Sequence, residues 1–386
     1  MTNHQETIRP GLEGVVAAET TLSSVDGEAG ELIIAGYPVE ELAPNATFEE
    51  TAWLLWNGEL PCDEDLEAFA GMLASHRAIP AATLALLREA AANGIPAMDT
   101  LRMAAGTLDL DGAAGASTPA AQPAVQPAVQ AAMLAARFPS IVAAYWRLLR
   151  GEEPVAPRGD LGHAANYLWM LRATEPGAAE TRALETYLNT VVDHGLNAST
   201  FTARVIISTG SDLVSAVTGA VGALKGPLHG GAPGPALDMV LEIGSEERAE
   251  SYIRAKLERG ERLMGFGHRV YKVRDPRADV LAAAADALFR NGGDRDLYRL
   301  ATKVEQTALA LLEEQKPGRR LQTNVEFYTA LLLHGIGLPN DLFTPTFAVS
   351  RVVGWIAHAF EQERAGRLIR PQSVYAGPRG RRWAGA

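Results

Sequence analysis

The chain has 386 residues, 47% of them hydrophobic and 21% charged, with a formal net charge of −11 and one cysteine, Cys62. This length buries a sizeable core and allows two or three domains at roughly 150 residues each, and the composition excludes extended disorder. A lone thiol excludes an internal disulfide or a multi-thiolate metal site, and the acidic balance excludes a broad basic surface for nucleic acid or anionic membrane, so an anionic ligand needs a focused cluster of cations.

In chain order, the polar opening MTNHQETIRPGLEG carries no apolar stretch of the secretory kind, which predicts a cytoplasmic protein. The segment from Val15 to Glu31 alternates loosely, contains the turn-like VDGEAG and runs into LIIAGYPV, which predicts a small β-hairpin or a pair of short strands. From Thr47 onward the pattern is helical. Phe48, Ala52 and Leu55 recur at i, i+4 and i+7, with Gly58 near the end of that helix and Pro61 beyond it. DGAAGASTPAAQPAVQPAVQ, from Asp111 to Gln130, reads as a surface loop leading into a helix. No run reaches the roughly 20 apolar residues of a membrane span, because the best candidate, TFAVSRVVGWIAHAF, is broken by Arg351.

Four places carry chemistry. His229 lies among glycines in KGPLHGGAPGPALDMVLEIG, ahead of a helix that Pro235 is placed to open; the positive end of a helix dipole there favours a neutral imidazole, although taken alone the motif reads first as an ordinary histidine in a turn. MGFGHRVYKVRDPRADVL sets His268 after Gly265, Phe266 and Gly267 and packs Arg269, Lys272, Arg274 and Arg277 into ten residues, an anion site or a solvated basic stretch. Within it, Asp275 and Pro276 read as N-cap and first helical residue, putting Arg277 in a first turn where a cation is unfavourable without an anion. In TNVEFYTALLLHGIG, Thr323 or Asn324 caps a helix whose first turn carries Glu326, which alone reads as a residue complementing the dipole. Arg351 stands between Phe347 and Trp355 with no acidic residue from Asp341 to Glu361, and a buried guanidinium needs a carboxylate from the protein or from a ligand. Arg370, in RLIRPQS, follows the same logic more weakly.

Taken in series, GPLHGG, MGFGHRVYK, DPRA, TNVEFYT, FAVSR and RLIRPQS resemble citrate synthases in order and spacing, and GLEGVVAAETTLSSVDGEAGELIIAGYPVEELA resembles that family's N-terminal segment. The compact dimeric branch is the nearer likeness. The resemblance implies a mostly all-α fold: a large helical domain of residues 1–230 and 338–386 with a short N-terminal hairpin, and a smaller mobile domain of residues 231–337 that binds CoA and closes over the substrates. It also implies a homodimer, with oxaloacetate and acetyl-CoA as substrates and no permanently bound cofactor or metal.

By position in the matching motifs, His229 is expected to stabilise the acetyl-CoA enol, Glu326 to act as the base and His268 to polarise the oxaloacetate carbonyl. His194, Arg277, Arg351 and a partner's Arg370 are expected to hold oxaloacetate, and Gly265, Phe266, Gly267 and Lys272 to meet CoA. Two departures from the family pattern stand out. Glu326 replaces an aspartate, which changes intrinsic basicity by only about 0.4 pKa units but reaches farther by one methylene. HGGAPG replaces HGGANE, so the turn after His229 is held differently. The expected reaction is condensation of acetyl-CoA with oxaloacetate to citrate. The alternatives are 2-methylcitrate synthesis from propionyl-CoA, since one methylene discriminates only about 10- to 200-fold, and a silent CoA- or dicarboxylate-binding regulator.

Overall fold

The computed structural model describes residues 8–110, 127–230, 233–268, 270–290 and 294–382. The strands form one antiparallel sheet in the order β1 (Ser23–Asp26), β2 (Glu31–Ile34), β3 (Tyr37–Pro38). Ser23 pairs with Ile34 and Asp26 with Glu31, and the Asp26 carboxylate accepts the Glu28 and Ala29 amides to hold the turn. The expected hairpin is therefore β1–β2. The third strand is two residues long and ends on proline, too short for any alternation to announce it.

Sixteen α-helices follow among the described residues. The first six are α1 (Val39–Asn45), α2 (Phe48–Asn57), α3 (Asp63–Ser75), α4 (Ala81–Ala92), α5 (Ala97–Ala105) and α6 (Pro127–Leu149). The next five are α7 (His163–Arg172), α8 (Ala178–Val191), α9 (Ala198–Ile207), α10 (Leu213–Leu224) and α11 (Pro233–Ile243). The last five are α12 (Ala249–Glu258), α13 (Pro276–Arg290), α14 (Arg295–Gln315), α15 (Val325–Gly335) and α16 (Phe343–Ala365). Their ends follow local chemistry. Thr47 and Glu50 form a capping box at α2, Gly58 closes it in the left-handed conformation, and Asn197, Asp212 and Asn324 accept first-turn amides at α9, α10 and α15.

Two expectations change here. Helix α11 begins at Pro233, not Pro235; in a first turn neither proline removes an amide that an intrahelical bond would use. The most apolar long helix is α6 rather than the segment around Arg351. Its 23 residues are long and apolar enough to cross a membrane by composition, but 78% of its most apolar window is buried inside this chain, so its hydropathy reflects a core helix. The stretch expected as a loop, 111–126, lies outside the described residues, while Pro127–Gln130 opens α6.

Packing around the site follows from a few close approaches. Helix α16 lies against α8 and α9, with Gly354 admitting the Val192 carbonyl where an added Cβ would sit 2.3 Å from that oxygen. Helix α13 packs on α8 and α15, and α11 on α15; the N-termini of α13 and α15 meet where the Val325 amide donates to Asp275 Oδ2 at 3.3 Å.

Candidate active site

The end of α8 and the body of α16 are sewn together by buried polar groups. Ser350 Oγ donates to the Leu188 carbonyl at 2.5 Å, and Arg351 Nε donates to Val191 at 2.6 Å. Asp193 is fully buried and accepts from His358 Nε2 at 3.1 Å and Ser23 Oγ at 2.5 Å. Arg204 Nη1 faces His358 Nδ1 at 2.9 Å and pairs with Glu361, which fixes the proton of His358 on Nε2. His194 follows directly on this anchor, its Nε2 3.0 Å from the Tyr271 hydroxyl.

A second block joins residues far apart in sequence. The Gly267 amide donates to the Gln322 carbonyl at 2.7 Å, the Asn324 amide to Gly265 at 2.9 Å, and Asn324 Nδ2 to Gly267 at 2.8 Å. Phe266 and Thr323 form an isolated antiparallel bridge. Gly265 has φ of +86°, and an added Cβ would lie 2.9 Å from the Phe327 side chain, so this position requires glycine twice over. The strap fixes His268 relative to Glu326, whose amide donates to the Asn324 side chain at 3.0 Å. Asn324, not Thr323, is the cap.

His194, His229, His268, Arg277, Glu326 and Arg351 all line one cavity of about 680 Å³. Its hydrogen bonds assign the imidazole protons. The Val270 and Tyr271 amides donate to His268 Nδ1 at 3.0 and 3.1 Å, and these two shorter bonds outweigh the single Arg277 Nη2 donor 3.5 Å from Nε2, so a neutral His268 carries its proton on Nε2. The Ser199 amide donates to His229 Nε2 at 3.4 Å, which places the proton on Nδ1; the Ser199 hydroxyl lies 2.8 Å from the same nitrogen and also reaches Asn197 Oδ1 at 2.9 Å. Trp355 Nε1 supports Ser199 Oγ from behind at 3.1 Å. Burial, then the nearby arginines, push both His229 and His268 down to about 4, and the same causes hold His194 well below its ordinary value. All three imidazoles are therefore neutral at pH 7.

The charged groups divide differently. Arg277 is gripped by Asp275 through Nε at 3.0 Å and Nη2 at 2.8 Å, so the anion expected at its first turn is in the first instance the chain's own. Burial opposes its charge, but Asp275 more than offsets this and raises its pKa. Arg351 has no carboxylate in an ion pair among the described residues; it stacks 4.4 Å from the Phe347 ring, and burial pushes it down to about 10. Burial raises Glu326 to about 7, against the pull of Arg277 and Arg351. The cavity thus presents a carboxylate poised to take a proton near neutrality, two neutral N–H donors and an unpaired guanidinium.

Gly265, Phe266, Gly267 and His268 also line an adjoining cavity of about 440 Å³, with Arg262, Lys316 and Arg319 on its walls. Lys272 does not join them: its side chain is exposed, and its amide donates to the Gly27 carbonyl at 2.8 Å. Arg370 is exposed on the irregular C-terminal segment and lines neither cavity. Residues 231 and 232, where a differently held turn was expected after His229, lie outside the described residues. Ser199, Tyr271 and the basic trio carry no site signal of their own in the sequence, apart from Lys316 and Arg319 in the basic run KPGRR.

A family profile described as "Citrate synthase, C-terminal domain" matches residues 11–372. The citrate synthase of Haloferax volcanii is 42% identical over 371 residues, 96% of each chain. The 2-methylcitrate synthase of Mycobacterium tuberculosis is 40% identical over 370 residues, 96% of this chain and 91% of that one. A solved citrate synthase from Thermoplasma acidophilum, in ternary complex with carboxymethyl coenzyme A and oxaloacetate, aligns over 98% of both chains with a TM-score of 0.85 at 30% identity. The chain belongs to the citrate synthase family.

Proposed function

We propose that this chain is an acyltransferase that condenses acetyl-CoA with oxaloacetate and hydrolyses the resulting thioester, releasing citrate and CoA. The observation that carries the reading is the meeting, in one cavity, of Glu326 with two neutral histidines of opposite tautomer and the unpaired Arg351. Glu326 takes a proton from the thioester methyl group, and His229 Nδ1–H donates to the oxygen where enolate charge develops. His268 Nε2–H polarises the ketone of oxaloacetate. Arg351 and the outer face of Arg277 hold its carboxylates beside His194, so carbon nucleophile and carbonyl meet already oriented.

Acetyl-CoA enters as a co-substrate, and no resident cofactor takes part. The adjoining cavity suits CoA: Gly265–Gly267 offer backbone, while Arg262, Lys316 and Arg319 offer charge for its phosphates, a role assigned to these three in place of Lys272. Residues 231–337 form the closing part, which excludes water until the carbon–carbon bond is made. The same reading carries a cytoplasmic homodimer in which Arg370 serves the partner's cavity.

Thiol release from purified protein, with oxaloacetate and either acetyl-CoA or propionyl-CoA, tests this. Oxaloacetate-dependent CoA release with the larger kcat/KM for acetyl-CoA is the expected result. A larger value for propionyl-CoA reassigns the enzyme to 2-methylcitrate synthesis. Oxaloacetate binding without release overturns catalysis and leaves a silent binding protein.

A further inference from the structure

Behind the cavity, a buried carboxylate on α14 receives three hydrogen bonds. Glu305 Oε1 accepts from Thr323 Oγ1 at 2.7 Å and Arg274 Nη1 at 2.7 Å, and Oε2 accepts from the Tyr328 hydroxyl at 2.5 Å. Its side chain is 9% exposed and does not line the cavity. The partners bracket the site: Thr323 and Tyr328 lie three residues before and two after Glu326, and Arg274 lies three before Arg277. A parallel link runs through Asp275, whose Oδ2 accepts from both the Val325 amide at 3.3 Å and Arg277 at 2.8 Å.

We infer that Glu305 is a positioning residue, which sets the separation of Arg277 and Glu326 by tying residues 274–277 to residues 323–328. The inference rests on the roles given to those two side chains above. A carboxylate suits this task because it is acceptor-only and can serve several donors at once, and all three partners here are donors. An amide of the same shape turns a donor towards them and gives up the charge opposite Arg274. The α15 N-terminus then loosens, Glu326 drifts from the position fixed relative to Arg277, and water reaches its carboxylate. Displacement by about 1 Å is enough to cost on the order of 10²-fold in rate.

The test compares Glu305→Gln with the milder Tyr328→Phe, which removes one strut and keeps the fold accessible should the first variant unfold. Per folded enzyme, kcat is expected to fall about 10- to 100-fold in Glu305→Gln and less in Tyr328→Phe, with the KM for acetyl-CoA within twofold of wild type. The acid limb of the kcat profile should move to lower pH as Glu326 becomes hydrated, which a loss of folded protein alone does not produce. Unchanged kcat per folded enzyme and an unmoved limb in both variants overturn the inference. If the wild-type protein releases no CoA, the proposed function fails instead. Hydrogen exchange then decides: faster exchange confined to peptides over 274–280 and 322–331 upholds the positioning role, and unchanged exchange there overturns it.

Discussion

Replacing Glu326 by glutamine separates two consequences of its burial. Folding raises this carboxyl from 4.5 to about 7, so between those values the folded state holds a proton that the unfolded chain has released. Stability therefore falls as pH rises from about 4.5 to about 7 and levels off above it, and the shift corresponds to roughly 3 kcal/mol as an order of magnitude. Glutamine never ionises, so Glu326→Gln should match wild type near pH 4.5 and exceed it by up to that amount at pH 8. Urea unfolding at pH 5 and pH 8 reads this directly: the difference in midpoint between variant and wild type should widen at the higher pH. The same variant should lose about 10²- to 10⁴-fold in kcat, because an amide cannot accept the methyl proton, while oxaloacetate still binds. Equal midpoint differences at both pH values would refute the assignment of the raised pKa, and lost oxaloacetate affinity would make Glu326 a binding or structural group.

Arg351→Gln should raise the Kd for oxaloacetate markedly, measured by calorimetry, since among the described residues no carboxylate forms an ion pair with that guanidinium; an unchanged Kd would remove Arg351 from the ligand site. Ser199→Ala deletes the hydroxyl at His229 Nε2 and should lower kcat with little change in the KM for oxaloacetate, whereas a change confined to KM would contradict the tautomer assigned to His229. Asp275→Asn strips the buried Arg277 of its partner and should destabilise the fold by about 3–5 kcal/mol in denaturant titration. Gly265→Ala must both strain a φ of +86° and displace Phe327, so acetyl-CoA turnover should drop with a lower melting temperature; normal behaviour in both would show that the strap yields freely.

Helical architecture was legible because its signals are local. Thr47, Glu50 and Gly58 mark the ends of α2 in the sequence, as Asp275–Pro276 mark the start of α13 and Asn324 that of α15. The six cavity-lining side chains were legible through a series of motifs, each of which alone had an ordinary explanation. What escaped were relations between distant segments. Nothing near Arg277 said that Asp275, two residues earlier, would turn back and occupy it. Ser199 is one serine among many until α16 brings Trp355 behind it, and the basic trio gathers only when α12, α14 and the loop at 265–267 converge. That Lys272 lines neither cavity was illegible for the opposite reason: charge density along the chain does not say which way a side chain leaves it.

The hydrogen bonds between 265–267 and 322–324 also constrain how such a chain can be recombined with its relatives. Two stretches more than fifty positions apart share one set of backbone partners, Asn324 reaching across 57 positions to the Gly267 carbonyl. A crossover between residues 268 and 322 would mate one parent's glycine loop with the other parent's strap, and mismatched spacing there would be felt at both His268 and Glu326. Exchange of the whole interval leaves that joint intact, so shuffled libraries should retain active members mainly where both breakpoints fall outside it.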